Sequence, residues 1–292
     1  MKANIRQNLM DYTIEELAVA LKAIGEPAYR ARQIFDWIYK NRICDFEHMS
    51  NLPQPLRDKL KEKFSLSQPQ LTDRKISYDG AQKFIFALED ANLIESVLIP
   101  AIGRTTACIS TQVGCKFGCI FCASGKNGFL RNLSCAEIVN QIISIRRYTK
   151  SDITHLVLMG IGEPLDNYAN VLKAIRIINS PLGLGIGARR ITVSTCGITP
   201  GIKALAKEGI QVGLSISLHA SDDIQRDRLM PINRKYPLAT LLSATKEYIE
   251  KAHRQVTFEY ILIEDFNSAL TDAENLVKLL KYINCKLNLI AL

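Results

Sequence analysis

The feature that most constrains the fold is a regular alternation of strand-like and helical stretches after residue 105. The strand-like stretches are 106–111, 155–159, 190–194, 212–217, 256–263 and 286–290. The helical stretches lie between them, at 134–148, 168–178, 200–207, 238–253 and 269–282. Such alternation predicts parallel strands joined by right-handed helical crossovers. Six strands are too few for a closed eight-fold barrel, so we predict an α/β fold with a partial (β/α)6 barrel.

Two further segments precede the predicted barrel. Apolar spacing predicts three short helices, at 14–24, 28–39 and 56–64. Thr13, with Glu16 three residues later, is expected to cap the first of them. Two strand-like runs, at 83–88 and 93–99, are joined by a polar turn and predict a β-hairpin. We therefore expect a helical accessory domain at 1–65, a β-hairpin extension at 66–104 and the barrel domain at 105–292.

Composition and charge narrow the class of protein. No apolar run approaches the ~20 residues that span a bilayer, and residues 1–10 lack the apolar core of a signal peptide. We therefore expect a cytoplasmic protein without membrane contact. The net charge of +8 favours an anionic partner such as nucleic acid, although a basic soluble protein fits it equally well. Arg30, Arg32 and Lys40 likewise suit either a polyanion-binding domain or a solvated helical bundle.

The cysteines indicate the chemistry. Eight cysteines in a cytosolic chain point to metal or redox chemistry rather than to a disulfide framework. Cys115, Cys119 and Cys122 follow the first barrel strand with the spacing C-x3-C-x2-C. Structural zinc takes four ligands in paired arms, and no second arm lies nearby. Three thiolates on a [4Fe–4S] cluster would leave one iron open to a bidentate ligand. The triplet therefore predicts such a cluster, with zinc as the alternative.

Other polar residues follow the next three barrel strands. They are Gly162, Glu163, Ser194, Ser217, Leu218 and His219. Glycine lets backbone approach a ligand closely, and a carboxylate accepts hydrogen bonds from an ammonium group. Because barrel chemistry sits at the carboxyl ends of strands, this set predicts a pocket for a ligand with ribose and amino-acid groups. An ordinary turn at Gly162 and structural serine and histidine side chains are the alternatives.

Several sequence stretches resemble a known family. The cysteine triplet resembles the hallmark of the radical S-adenosylmethionine superfamily, which places it after the first strand of a partial (β/α)6 barrel. Longer matches narrow the resemblance to the RlmN/Cfr family of RNA adenosine C2/C8 methyltransferases, and to its RlmN branch. These matches lie at 26–34, 37–39, 94–100, 108–115, 131–133, 217–220 and 229–233.

The resemblance implies cofactors, partners and residue roles. The cofactors are a [4Fe–4S] cluster on the cysteine triplet and S-adenosyl-L-methionine on the strand-end residues. The substrate is C2 of adenosine in 23S rRNA and/or tRNA, and the electron donor is a protein such as flavodoxin or ferredoxin. Glu95 matches the family's proton acceptor. Cys108 matches the cysteine that forms a disulfide to resolve the covalent intermediate, although the residues alone predict a buried strand cysteine there.

The end of the chain departs from the family pattern. Family members continue past the last strand with a proline, where this chain has Ala291, and carry a methyl-bearing cysteine some tens of residues later. Cys135, Cys196 and Cys285 do not match that position. We expect a truncated chain that cleaves S-adenosylmethionine without methylating RNA. The alternatives are a segment supplied by another chain and a shorter enzyme with different chemistry.

Two rival functions remain. A non-catalytic RNA-binding homologue that retains the cluster is compatible with the departure at the end of the chain. A tRNA methylthiotransferase would need a second cysteine triplet, and none is visible in the sequence. Reductive cleavage of S-adenosylmethionine distinguishes the enzyme from the RNA-binding homologue.

Overall fold

A computed structural model describes residues 6–126 and 128–292. By their internal contacts these residues form two compact units. The first runs to Ile109 and adds Leu133–Leu156 and Ala169–Gly187. The second comprises Ser110–Asn132, Val157–Tyr168 and Ala188–Leu292. The division into three sequence segments stays a prediction.

The amino-terminal part of the first unit is helical, as predicted. Helix α1 spans Ile14–Ala23, and its capping box is confirmed. The Thr13 hydroxyl accepts the Glu16 N–H, while the Glu16 carboxylate accepts the Thr13 N–H at 2.8 Å. The other helices of this part are α2 (Arg30–Phe35) and α3 (Gln54–Lys63). A short parallel pair, β1 (Gln7–Asn8) and β2 (Phe64–Ser65), closes the segment.

The second predicted helix differs from expectation in its last turn. The α-helical hydrogen bonding predicted to residue 39 ends at Phe35, and a π-helical turn follows at Asp36–Lys40. There the hydrogen bonds reach one residue further, as in the 3.0 Å bond from the Asn41 N–H to the Asp36 carbonyl. Apolar spacing does not distinguish a π-helical turn from an α-helical one.

An antiparallel sheet follows in the first unit. Its strands are β3 (Gln70–Ile76), β4 (Gln82–Ala87), β5 (Leu93–Ala101) and β6 (Arg104–Cys108). Their order is β6-β5-β4-β3. The predicted β4–β5 hairpin is confirmed. Strand β3 was not predicted, because it is exposed along nearly its whole length and lacks apolar alternation. The strand predicted at 106–111 ends at Cys108, since the Thr111 N–H turns to the Ile161 carbonyl.

The alternating part of the chain contains the predicted strands and helices. The strands are β7 (Gln112–Gly114), β8 (Phe129–Asn132), β9 (His155–Leu158), β10 (Ile191–Thr195), β11 (Gly213–Ser217), β12 (Val256–Leu262) and β13 (Cys285–Ala291). The helices are α4 (Cys135–Thr149), α5 (Tyr168–Asn179), α6 (Thr199–Leu205), α7 (Asp223–Leu229), α8 (Leu238–Ala252) and α9 (Leu270–Leu280). Helix α7 and the β7–β8 hairpin were not predicted.

In the second unit the sheet order is β13-β12-β11-β10, and these strands pair in parallel. Val193, Ile216 and Phe258 are fully buried in its strands, as expected where helices cover a parallel sheet. The carboxyl ends of these strands therefore meet at one edge of the unit. None of the helices in the described parts of the chain is both long and apolar enough to cross a bilayer.

Candidate functional site

The cysteine triplet lies in the loop that joins β7 to β8. Val113 pairs with Arg131 across this antiparallel hairpin, and the Cys115 N–H donates to the Gly128 carbonyl at 3.0 Å. Gly114 has a φ of +74°, and a Cβ there would lie 1.8 Å from the Gly128 oxygen. Only glycine fits that position. The hairpin therefore fixes the point at which the cysteine loop begins.

Three further contacts hold the loop within the second unit. The Ile120 N–H donates to the Leu229 carbonyl at the end of α7, at 3.1 Å. The Phe121 ring stands edge-on to the His219 ring, with centroids 4.7 Å apart. The Lys116 ammonium pairs with Asp166 at 2.7 Å. Because these contacts reach the turns after β9 and β11, the loop is tied to the strand ends predicted to form the pocket.

The chemistry of the donor set fits an iron–sulfur cluster. Cys115, Cys119 and Cys122 are free, half-buried thiols. Burial and neighbouring thiols raise the pKa of Cys119 to about 12, so a bound metal must displace its proton. Across the described residues, no set of three histidine, cysteine, aspartate or glutamate side chains converges on one metal ion. Thiolates are soft ligands that suit an iron–sulfur cluster, and three of them leave one iron of a [4Fe–4S] cluster open to a ligand.

A cavity of about 270 Å³ opens beside the cysteine loop, entirely within the second unit. The predicted site residues that line it are Cys115, Cys119, Cys122, Gly162, Glu163, Ser194, Ser217 and His219. The Leu218 side chain does not line this cavity and is fully buried. Its backbone N–H instead donates to the Glu259 carbonyl at 3.0 Å. The structure therefore brings together the triplet and the predicted strand-end residues, apart from the Leu218 side chain.

Glu163 connects two of the strand-end turns. One carboxylate oxygen accepts the Leu165 N–H at 3.0 Å, and the other accepts the Cys196 N–H at 2.7 Å. Burial raises the pKa of this carboxyl. Hydrogen bonds from the Cys196 and Leu165 backbones and from the Cys196 and Thr195 side chains act in the opposite direction and favour the charged carboxylate.

Gln112 and Gly162 fix the position of Glu163. The Gln112 side-chain oxygen accepts the Glu163 N–H at 2.9 Å, and its amide nitrogen donates to Asp166 at 2.9 Å. Gly162 has a φ of +106°, and a Cβ there would lie 2.6 Å from the Gln112 Cβ. The close packing of these two residues requires glycine.

His219 has a fixed tautomer. Its Nδ1 accepts the Ile261 N–H at 3.1 Å, so the neutral ring must carry its proton on Nε2. Burial lowers the pKa of His219 to about 3, with the charge of Arg226 as a smaller cause. The ring is therefore neutral at physiological pH and offers an N–H donor. Its backbone is left-handed, with a φ of +58°.

Glu95 and Cys108 lie in the first unit, on one face of the antiparallel sheet. Val97 is the register partner of Cys108, and Glu95 precedes Val97 by two residues on β5. Residues two apart on a strand share a face. The Lys83 ammonium lies 3.1 Å from the Glu95 carboxylate. The two predicted catalytic residues are thus neighbours on a single sheet face.

The predicted disulfide at Cys108 is not present. None of the eight cysteines forms a disulfide bond.

Sequence reasoning missed three residues at the site. They are Gln112, Glu259 and Arg226. Glu259 lines the cavity from β12 and accepts the Ser215 hydroxyl at 2.5 Å. An acidic residue in the middle of an apolar strand was the signal that pointed to it.

Comparison with known families identifies the chain. The profile of the radical SAM superfamily matches residues 109–280, more than half of the chain. The chain belongs to the radical SAM superfamily. The profile of the ribosomal RNA large subunit methyltransferase N-terminal domain matches residues 7–66. Radical SAM enzymes use a [4Fe–4S] cluster and S-adenosylmethionine, which confirms the predicted cofactors.

Individual similar proteins narrow the family assignment within the superfamily. A probable dual-specificity RNA methyltransferase RlmN from Thermoanaerobacter sp. (strain X514) is 50% identical over 285 residues, covering 97% of this chain and 83% of that protein. The corresponding protein of Thermotoga maritima is 47% identical, with the same coverage. The crystal structure of a radical SAM methyltransferase from Sphaerobacter thermophilus has a TM-score of 0.92 at 42% identity, covering 97% and 84% of the two chains. The chain is an RlmN-type radical SAM enzyme, and its predicted α/β class is confirmed.

Proposed function

We propose that the chain is a radical S-adenosylmethionine enzyme of the type that methylates C2 of adenosine in 23S rRNA and/or tRNA, and that the residues described carry the cleavage of S-adenosylmethionine. The observation that carries this proposal is the cavity of the second unit, where the three thiols lie beside Glu163 and His219. The relatives named dual-specificity RNA methyltransferases support RNA as the substrate class. Preference for C2 rests on the RlmN branch of the family.

Different residues of the site would bind the cluster and S-adenosylmethionine. Cys115, Cys119 and Cys122 would hold the cluster, which when bound supplies the electron that cleaves S-adenosylmethionine. The Glu163 carboxylate would accept hydrogen bonds from the methionine ammonium. His219 Nε2–H would donate to the methionine carboxylate.

The rest of the cavity would bind the ribose and keep water out. The hydroxyls of Ser194 and Ser217 suit the ribose, because both line the cavity at neighbouring strand ends. Leu158, Met230 and Ile261 form part of the apolar wall. Excluding water strengthens each polar contact inside the site.

We propose that residues 1–65 bind the RNA backbone. The Arg30 guanidinium lies 4.9 Å from the centre of the Tyr29 ring, and Tyr29 is exposed. Arginine beside an exposed aromatic ring suits contact with phosphates and stacked bases. In the same unit, Glu95 would act as the proton acceptor and Cys108 as the resolving thiol, since they share one sheet face.

The electron would come from an acidic protein such as flavodoxin or ferredoxin, which the exposed Lys116 and Lys126 of the cysteine loop would attract. We propose a cytoplasmic location, where thiols stay reduced, because none of the eight cysteines forms a disulfide bond.

The deciding experiment is anaerobic reconstitution of the chain with iron and sulfide, followed by dithionite, S-adenosylmethionine and an RNA substrate. Formation of 5′-deoxyadenosine is expected. If the cluster assembles but no cleavage occurs while RNA still binds, the non-catalytic RNA-binding alternative is favoured. Nuclease digestion and mass spectrometry then locate any methyl group on the RNA, and a methyl group that is found is expected at C2, as 2-methyladenosine. Finding 8-methyladenosine would contradict the C2 assignment, and cleavage without any methyladenosine would show that this chain does not perform the methyl transfer.

A further inference from the structure

Arg226 of α7 is a buried cation whose hydrogen bonds all end near the cavity. The side chain is fully buried. Nη2 donates to the Cys196 carbonyl at 2.8 Å and to the Ser217 carbonyl at 2.9 Å. Nε donates to the Leu218 carbonyl at 3.1 Å, and Nη1 donates to the Asn233 side chain at 2.8 Å. Burial of a guanidinium is costly unless its donors are satisfied, and here each nitrogen has a partner.

These bonds join the ends of two neighbouring strands. Cys196 begins the turn after β10, and Ser217 is the last residue of β11. Cys196 is held from both sides, since its carbonyl accepts from Arg226 and its N–H donates to Glu163. The turn after β9, the turn after β10 and the end of β11 are therefore linked through Arg226 and Glu163.

The segment that Arg226 holds includes a strained residue. His219 has a left-handed backbone conformation, which is unfavourable for a residue with a Cβ. Such a conformation persists only where the surroundings fix it. Arg226 fixes the two carbonyls that precede His219, and Asn267 donates to the His219 carbonyl at 2.8 Å. A fixed backbone here sets the direction of the His219 ring and the Ser217 hydroxyl.

A second buried arginine provides a comparison. Arg146 of α4, in the first unit, donates to the Ile153 carbonyl at 3.0 Å. Ile153 precedes β9, so this bond lies at the amino end of a strand. In barrels of this kind the amino ends of strands serve stability and the carboxyl ends serve chemistry. Arg146 is therefore a buried cation whose backbone hydrogen bond lies at the strand end opposite to the predicted site.

We propose that Arg226 is a positioning residue for S-adenosylmethionine, which locks the Cys196 turn and the Ser217–His219 segment in the geometry that binds it. This inference rests on the proposed function. Lysine at 226 would retain the charge but lose the planar fork that reaches three carbonyls at once. Loss of hydrogen bonds to a charged group would then appear as weaker binding of the ligand rather than as a slower chemical step.

The test compares Arg226→Lys with Arg146→Lys in two measurements. The first is amide hydrogen exchange in the cluster-free protein. Exchange at Cys196, Leu218 and His219 is expected to rise at least tenfold in R226K, with the amides of β12 protected as in the wild type. The second is reductive cleavage by the reconstituted enzyme. There R226K is expected to raise the KM for S-adenosylmethionine about 10- to 100-fold with a much smaller effect on kcat. R146K is expected to leave both readouts unchanged.

Two outcomes would overturn the proposal. One is exchange in R226K that rises evenly across the second unit; the other is a KM that R146K raises as much as R226K does. If R226K does not fold, the Asn233→Ala variant tests the proposal instead. It removes one hydrogen-bond acceptor of Arg226 and leaves the arginine in place. Faster exchange at the same three amides in N233A supports the proposal, and unchanged exchange contradicts it. If the wild type cleaves no S-adenosylmethionine, the proposed function fails, while the exchange measurement still decides whether Arg226 locks the two strand ends.

Discussion

The Cys196 backbone N–H donates to the Glu163 carboxylate at 2.7 Å, so the acid of the turn after β9 also fixes the turn after β10. Glu163 is thus a candidate ligand-binding group and also a support for the turn at Cys196, which lines the same cavity. A substitution there changes the charge offered to the ligand and the shape of the neighbouring turn together.

Glu163→Gln is expected to raise the KM for S-adenosylmethionine about 10- to 100-fold. The Leu165 and Cys196 N–H groups donate to different oxygens of Glu163, so in the glutamine variant one of them would face the amide NH2 group. The amide also offers no charge to the ammonium. The measurement is 5′-deoxyadenosine formation against cofactor concentration. Glu247→Gln on the exposed face of α8 is the matched control. An unchanged KM in E163Q would remove Glu163 from the binding site.

Alanine at Cys115, Cys119 or Cys122 is expected to abolish assembly of the four-iron cluster, because each thiol would ligate a different iron. Iron and sulfide content after anaerobic reconstitution, with the visible absorbance, measures the loss. Cys135→Ala, in the first turn of α4, should retain the cluster. A full cluster in any of the three variants, or stoichiometric zinc bound instead of iron in the wild type, would contradict the assignment.

Gly162→Ala is expected to lower the free energy of unfolding by about 3 kcal/mol or more, because a Cβ in a left-handed conformation also overlaps Gln112. Gly209→Ala is the matched control. Gly209 has a φ of +67° with open space around it, so only the backbone cost of ~1–2 kcal/mol applies. Urea denaturation of both variants measures the difference. Equal losses would show that Gln112 moves aside without cost.

His219 is expected to make stability pH-dependent below neutrality. Its pKa is about 3 in the folded chain and ordinarily about 6.5, so between these values only the unfolded chain binds the proton. The free energy of unfolding therefore falls as the pH drops, by roughly 3 kcal/mol between pH 7 and pH 4.

Asn at 219 tests this expectation. It tolerates the left-handed backbone, and its side-chain oxygen replaces Nδ1 as the acceptor for the Ile261 N–H. H219N does not titrate, so its stability should fall less than that of the wild type over the same range. Urea denaturation of the cluster-free proteins at each pH gives both profiles. Parallel profiles would show that His219 does not cause the pH dependence of the free energy of unfolding.

The strands and helices of the alternating region were predictable because each depends on a local apolar pattern. Leu156 and Leu158, for example, are buried within the continuous apolar run at 156–159, which is typical of a buried parallel strand. Strand β3 escaped detection, since its exposed residues follow no such pattern and only pairing with β4 makes it a strand. The π-helical turn at Asp36–Lys40 was also missed, because its spacing is helical in either form.

The candidate site was predictable where spacing alone carried the signal, as in the cysteine triplet and at Glu163. Arg226 and Gln112 carried no such signal. Their roles come from partners far along the chain, such as Cys196 for Arg226 and Glu163 for Gln112, which only the folded chain brings near. A charged residue in an amphipathic helix ordinarily faces water, so sequence gives no reason to place Arg226 inside.

The β7–β8 hairpin affects how the folded chain would respond to loss of the cluster in oxygen. Backbone pairing between Val113 and Arg131 already brings the two ends of the cysteine loop together, so the entropy of closing that loop is not left to the metal. Loss of the cluster to oxygen would then stop catalysis without unfolding the protein. Because the ends of the loop stay paired, the three thiols are expected to remain placed to bind iron and sulfide again.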